Sequence, residues 1–199
     1  MKRLITAFTT LALLGAVSLA PRAEDDPYAS VRDKLQLCQT CHGEKGASTL
    51  PQYPILAGQQ MYYLYVQLKD FAAGRRQDSI MTPMLQKEAK MTRDEMKLVA
   101  TYFSEQKWPK TNYTVTEEQK HAAELMAGSA ECTACHLGGF KGNSRVPRLG
   151  GQHEDYLLKT MLDFKYRRRT NAPFMNSLME TFDEKAIEAM AAYAASMSD

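Results

Sequence analysis

The chain has 199 residues, 44% of them hydrophobic, and a formal net charge of +2. That length suits one ordinary domain or two small ones. The apolar content excludes a disordered chain, and the balanced charge excludes the strongly basic surface of a nucleic-acid binder.

Residues 1–23 read as a secretory signal. Lys2 and Arg3 precede the apolar run LITAFTTLALLGAVSLA, small residues follow, and polar Glu24, Asp25 and Asp26 come next. Cleavage is expected between Ser18 and Glu24. A cut before Glu24 removes Lys2, Arg3 and Arg22 and moves the net charge from +2 to −1. The run is slightly short for a membrane-spanning helix and is interrupted by three threonines. An uncleaved anchor is the alternative. No later stretch is apolar for long enough to span a membrane, so the expectation is an exported, soluble protein in a bacterial periplasm.

The first chemical word is CQTCH, Cys38 to His42, and the second is CTACH, Cys132 to His136. Together they hold all four cysteines of the chain and two of its four histidines. Export would ordinarily point to disulfides. Cysteines three apart close too short a loop to constrain a fold. A thioredoxin-like redox site needs one such pair beside a βαβ pattern, and no strand-rich pattern is present. Zinc uses the same ligand types, but adjacent Cys and His would have to bind one ion. Cys-x-x-Cys-His reads instead as attachment of c-type haem. Two thiols one helical turn apart form thioethers with the haem vinyl groups, and the following histidine lies under the iron. Cys38, Cys41, Cys132 and Cys135 are therefore the predicted attachment residues for two covalently bound haems, and His42 and His136 the predicted proximal ligands.

The chain also repeats itself. The haem words are 94 residues apart; PILAGQ (Pro54 to Gln59) and PRLGGQ (Pro147 to Gln152) are 93 apart. YLYVQLKDFAAGRR then matches YLLKTMLDFKYRRR at 93, pairing Tyr63 with Tyr156, Leu64 with Leu157, Asp70 with Asp163 and Phe71 with Phe164. The last segments match at 91, pairing Tyr102 with Tyr193. This is a tandem duplication of two domains, residues 24–108 and 116–199, joined by a linker at 109–115 in which Pro109 and polar residues break any periodicity. Each half reads as helix, haem word, irregular loop, helix, loop, helix, so the predicted fold class is all-α. Leu64, Leu68 and Phe71 share one helix face, as do Met96, Val99, Ala100 and Phe103. Thr92, Thr116 and Asp183 are predicted N-caps, Thr116 with a Thr-x-x-Gln capping box. Tyr62, Tyr63 and Tyr65 read as core and interface packing.

Each iron needs a second axial ligand. His121 and His153 have no counterparts in the repeat and read as ordinary surface or helix residues. Twelve methionines are present, most of them core fillers, so position decides. Met175 and Met179 lie before the last helix of the second half, Met81 and Met84 before that of the first. The local pattern around Met81 matches that around Met175; counting back from the final helix pairs Met84 with Met175 instead. Met175 and Met81 are the favoured ligands, with Met84 the alternative to Met81. Pro54 follows His42 by twelve residues and Pro147 follows His136 by eleven. Each is placed to offer its carbonyl to the second ring nitrogen of the histidine.

Two CxxCH words, the P-x-L-[AG]-G-Q motif, the YL…L-x-DF…R segments and a Met before each final helix together resemble the dihaem cytochrome c4 family, over almost the whole chain after the signal. The resemblance implies two class I cytochrome c domains related by approximate two-fold symmetry, with haem propionates near their interface. It also implies His/Met ligation at both irons and one-electron transfer to terminal oxidases or other periplasmic acceptors. The family's M-T-[GP]-M wording falls on Met81; the LQKEAK stretch after Met84 departs from it. Arg167, Arg168 and Arg169 form a dense run, read as a solvated face, with propionate or partner pairing as the other reading.

The function expected is that of a soluble carrier and not an enzyme. The alternative is the haem subunit of a periplasmic dehydrogenase complex acting on sulfur compounds or alcohols. Its partners would be redox proteins: an oxidase, a cytochrome complex or a dehydrogenase, a membrane-associated one among them. Neither nucleic acid nor a small-molecule substrate is expected.

Overall fold

Thr92, Thr116 and Asp183 each begin a helix by accepting a hydrogen bond from the backbone N–H three residues on. Thr92 with Glu95 and Thr116 with Gln119 complete capping boxes, satisfying two otherwise orphaned donors at each helix start. These caps punctuate an all-helical computed structural model, which describes residues 26–197. The predicted signal peptide lies outside the described residues.

In the first half, α1 spans Arg32–His42 and α2 spans Met61–Ala72. A short turn, α3 at Met81–Pro83, widens into a π-helical turn at Met84–Glu88, and α4 follows at Arg93–Ser104. In the second half, α5 spans Glu117–Ser129, α6 Cys132–His136, α7 Glu154–Lys165, α8 Pro173–Glu180 and α9 Glu184–Ser196. No strand occurs among the described residues; one isolated bridge joins Asn143 and Val146. None of the described helices is long and apolar enough to cross a membrane.

The halves correspond element by element. The single helix α1 of the first half is replaced in the second by α5 and α6, broken at Glu131, whose φ of 49° is left-handed. The longer first-half stretch before α4 is absorbed by the π-helical turn, which accommodates extra residues without opening the helix.

Each half has its own apolar core. Val31, Leu35, Leu64, Phe71, Leu85, Met96, Val99 and Phe103 are buried together in the first. Met126, Leu157, Met161, Phe164, Met179, Ile187 and Met190 are buried together in the second. α2 packs on α4, and α7 on α9, through the helix faces that the periodicity marked. Burying each large aliphatic or aromatic side chain contributes about 1.5–3 kcal/mol.

Residues 107–116 run without regular structure between the two cores. Thr111 donates to the Gly151 carbonyl at 3.2 Å, and the Tyr113 hydroxyl meets His153 Nδ1 at 2.8 Å, so this connection lies against the second half. The halves meet through paired hydrogen bonds. Gln59 donates to the Arg148 carbonyl at 2.9 Å and accepts from the Arg148 N–H at 2.8 Å. Gln152 donates to the Ile55 carbonyl at 3.0 Å and accepts from the Ile55 N–H at 2.9 Å.

Two expectations change here. His153 is not a surface residue: it is 5% exposed and lies between the halves, with Nε2 2.9 Å from the Ser48 carbonyl. Arg169 does not belong to a solvated face: it is 6% exposed and bonds to Tyr63 and Gln67 of the other half. Only Arg167 and Arg168 face solvent, paired with Glu180 and Asp163 respectively.

Candidate cofactor centres

Both haem words are helical, and this sets their chemistry. Cys38 and Cys41 lie on the last turns of α1, while α6 consists of the second word alone. A spacing of three places both thiols of each word on one helix face, one turn apart. The four cysteines form no disulfide. Burial raises the Cys38 thiol to about 11 and also raises Cys132, so neither is a ready thiolate. Among the described residues no group of three or more His, Cys, Asp or Glu side chains is placed to hold a metal ion, the arrangement a zinc reading would need.

The histidines show the most specific geometry. His42 Nδ1 lies 2.9 Å from the Pro54 carbonyl, and His136 Nδ1 lies 2.9 Å from the Pro147 carbonyl. A carbonyl only accepts, so Nδ1 carries the proton and Nε2 keeps its lone pair. Both rings are buried, and burial lowers each pKa below its ordinary value, against a smaller upward pull from the proline carbonyl. His42 Nε2 is buried with no hydrogen-bond partner. An unsatisfied buried acceptor costs about 1–3 kcal/mol, and a metal bond at that atom removes the cost. The residues therefore fit haem iron: neutral, oriented imidazoles beside paired thiols.

The methionine segments lie against the same cores. Met81, Met84 and Cys38 are partly buried and pack against the first core, and Met175 and Cys132 against the second. Asp78 accepts from the Ile80 and Met81 N–H groups at 2.9 and 3.0 Å, fixing the start of the Met81 turn. The residue after each favoured methionine reaches back in the same way. Thr82 donates to the Arg76 carbonyl at 3.4 Å, and Asn176 to the Arg169 carbonyl at 2.7 Å. Four residues beyond Met81 and Met175, Leu85 and Met179 are both buried. On these two relations Met81, not Met84, is the counterpart of Met175.

Tyr63, read as core and interface packing, does lie where the halves meet, but sequence reasoning gave no such place to the other residues there: Gln59, Gln152, Arg76, Arg169, Tyr156 and His153. Apart from His153, they form pairs at the constant offset of 93, a signal present in the repeat itself.

Two helical modules, each closing a CxxCH word over a buried, carbonyl-held histidine, define a tandem c-type cytochrome. No protein-family model matches the chain. It is 32% identical to cytochrome c4 of Stutzerimonas stutzeri, across 96% of this chain and 97% of that protein. The crystal structure of reduced recombinant cytochrome c4 from Pseudomonas stutzeri matches with a TM-score of 0.74 at 31% identity, covering 83% of this chain and 96% of that one. A thiosulfate dehydrogenase electron acceptor of Stutzerimonas stutzeri is 28% identical across 80% of this chain and 78% of its own length. The chain belongs to the cytochrome c4 family, and is an electron-transfer protein rather than an enzyme.

Proposed function

We propose that this is an exported, periplasmic dihaem cytochrome that carries single electrons between respiratory donors and a terminal oxidase or other acceptor. Its domains are residues 24–108 and 116–199, joined by 109–115, after a signal at 1–23. Cys38 and Cys41 would hold one haem and Cys132 and Cys135 the other, with His42 and Met81 available as ligands to the first iron and His136 and Met175 to the second. Haem supplies reversible Fe(II)/Fe(III) exchange. The protein holds each imidazole neutral and oriented by a proline carbonyl and would add a methionine thioether as the second ligand, a ligand set under which electron transfer would require little change in coordination.

The single observation that carries this reading is the matched pair of 2.9 Å contacts from His42 to Pro54 and from His136 to Pro147, which leaves Nε2 of each ring able to bind iron. The test is electron exchange by the purified, haem-loaded chain. Rapid exchange with small mediators and a partner oxidase, without turnover of peroxide, thiosulfate or sulfide, is expected. Sustained turnover by the isolated chain, abolished by changing one axial residue, contradicts it.

A second reading rests on the likeness to the thiosulfate dehydrogenase electron acceptor. In it the chain serves as the electron-transfer subunit of a periplasmic dehydrogenase complex acting on a sulfur compound or an alcohol. Stable co-purification with a dehydrogenase subunit supports this reading; a monomer reduced only in transient encounters supports the first.

A further inference from the structure

The residue after each haem word has the same backbone shape but a different side chain. Gly43 follows His42 with φ 77° and ψ 167°; Leu137 follows His136 with φ 60° and ψ 174°. This region of backbone space belongs almost wholly to glycine, and a side chain held there is strained. The conformation is used alike in both halves: the Gly43 N–H closes its helix on the Gln39 carbonyl at 2.9 Å, and the Leu137 N–H on that of Thr133 at 3.0 Å. Glycine would serve the second helix as well as the first. At the first centre a Cβ on Gly43 would lie 2.9 Å from the Ala47 carbonyl oxygen, so no side chain fits. At the second the chain bears a leucine, and burial does not offset the strain, because Leu137 is 42% exposed.

Other apolar side chains are exposed around the same centre. Leu125, seven residues before Cys132, is 63% exposed, whereas Val31, seven before Cys38, is buried. Phe174, next to Met175, is 69% exposed. Cys135 is exposed where Cys41 is half-buried. Exposed apolar side chains thus adjoin both proposed ligands of the second iron, His136 and Met175. At the first, Ile80 stands exposed beside Met81, but Gly43 leaves His42 without such a neighbour.

Charge indicates what covers this surface. Ala123 and Met126 turn α5 inward, and its exposed residues include Glu117, Glu118, Glu124 and Leu125. Glu131 stands exposed at the break before α6. From Glu117 to His136 four glutamates stand against Lys120 alone, whereas α1, which takes the place of α5 and α6 in the first half, has Arg32 and Lys34 against Asp33. Glu118 has Lys185 at 3.5 Å, an exposed pair that solvent screens. Apolar side chains with an acidic rim suit a partner whose own rim is basic.

We infer that α5 and Leu137 form a docking surface on the second half for a redox protein with a lysine- and arginine-rimmed face, and that the second centre is the port through which the chain exchanges electrons with it. The inference rests on the dihaem reading and goes beyond it by naming the port and the chemistry of the partner. Leu125 and Leu137 make the close apolar contact, and the glutamates steer encounter and speed association at low salt. One electron crosses the contact; the donor is oxidised and the acceptor reduced, and no bond is made or broken.

The experiment compares wild type with Leu137→Gly, Leu125→Gln and the double variant Glu118→Gln/Glu124→Gln. Leu50→Gln, which alters an exposed leucine of the first half, is the control. Each protein is first shown by mass to carry two haems. The probe is mitochondrial cytochrome c, whose docking face is rimmed by lysines, and rates of electron exchange are measured by stopped flow at low and high salt. Its redox-inert zinc-substituted form is used to map contacts on wild type by nuclear magnetic resonance. Expected for Leu137→Gly is exchange several-fold slower than wild type, with wild-type midpoint potentials and a melting temperature that does not fall. Leu125→Gln should slow exchange likewise, the double variant should weaken its salt dependence, and Leu50→Gln should match wild type. Shifts caused by the zinc protein should fall on α5 and Leu137. Unchanged rates in both Leu137→Gly and Leu125→Gln, or shifts confined to the first half, overturn the docking surface and leave the dihaem reading standing. Faster exchange with an acidic flavodoxin than with cytochrome c overturns the assigned partner. A concentration-dependent dimer that Leu137→Gly abolishes assigns the surface to a second copy of the chain and also overturns the proposal. If Leu137→Gly does not carry two haems, Leu125→Gln on the surface of α5 decides by the same rates.

Discussion

Gln59 and Gln152 hold each other's halves by the same exchange: each side-chain amide both donates to and accepts from one backbone residue of the opposite half, Arg148 for Gln59 and Ile55 for Gln152. Each oxygen also accepts from the N–H of the next residue in its own chain segment, Gln60 or His153. Gln59 is 4% exposed and Gln152 2% exposed, so water does not compete for these bonds. The glutamine of the repeated PxLxGQ motif is therefore an orientation device that fixes one half against the other.

Gln152→Ala leaves the Ile55 N–H and carbonyl buried without their partner. Each such orphaned group costs about 1–3 kcal/mol. Thermal or denaturant unfolding of the haem-loaded protein should show a loss of about 2–6 kcal/mol for the two groups together, and Gln59→Ala a similar one through Arg148. An unchanged unfolding midpoint in both variants contradicts the assigned role.

Met175→Ala should open the second iron and Met81→Ala the first. Ferrous carbon monoxide binding is expected at one haem in each variant and at neither in wild type. Met84→Ala should leave both closed. Opening by Met84→Ala but not by Met81→Ala would show that the π-helical turn, and not α3, presents the ligand.

His153 should make the contact between the halves acid-sensitive. Burial lowers its pKa from 6.5, opposed by smaller upward contributions from the Ser48 carbonyl and Asp155. A base with a lowered folded pKa takes up its proton more readily when unfolded. Its contribution to stability is thus complete above about pH 6.5, declines as pH falls toward the folded value, and levels off below it. His153→Gln should flatten this part of the stability–pH curve, measured by melting temperature between neutral pH and about pH 5. An unchanged slope contradicts the assignment.

Gly142→Ala should disturb the second centre selectively. Gly142 has φ 67°, and a Cβ there would lie 2.4 Å from the Pro147 carbonyl carbon and 2.5 Å from its oxygen. That oxygen accepts from His136 Nδ1. Left-handed strain alone costs about 1–3 kcal/mol, and the displaced carbonyl loosens the proximal ring. Magnetic circular dichroism or resonance Raman spectra should change for one haem and not the other; identical spectra for both haems contradict this.

Local chemistry was legible in the sequence. The capping residues, the amphipathic faces and the proline carbonyls opposite His42 and His136 all depend on residues close along the chain, where spacing determines geometry. The junction of the halves was not legible in this way. Nothing within ten residues of Arg169 distinguishes it from its neighbours Arg167 and Arg168; its burial follows from Tyr63 and Gln67, about a hundred residues away. His153 was misread for the same reason, since its partner Ser48 belongs to the other half. The π-helical turn at Met84–Glu88 adds residues to one half without changing the helical pattern, which is why counting back from α4 paired Met84 with Met175 while the local pattern paired Met81 with it.

The central claim is two haems, one on each word, and denaturing mass spectrometry of the purified chain tests it most directly. The account predicts the mass of the processed polypeptide plus two haems, reduced by one haem in Cys38→Ala/Cys41→Ala and likewise in Cys132→Ala/Cys135→Ala. A mass equal to the bare polypeptide, with two zinc ions retained in the native protein, would contradict it.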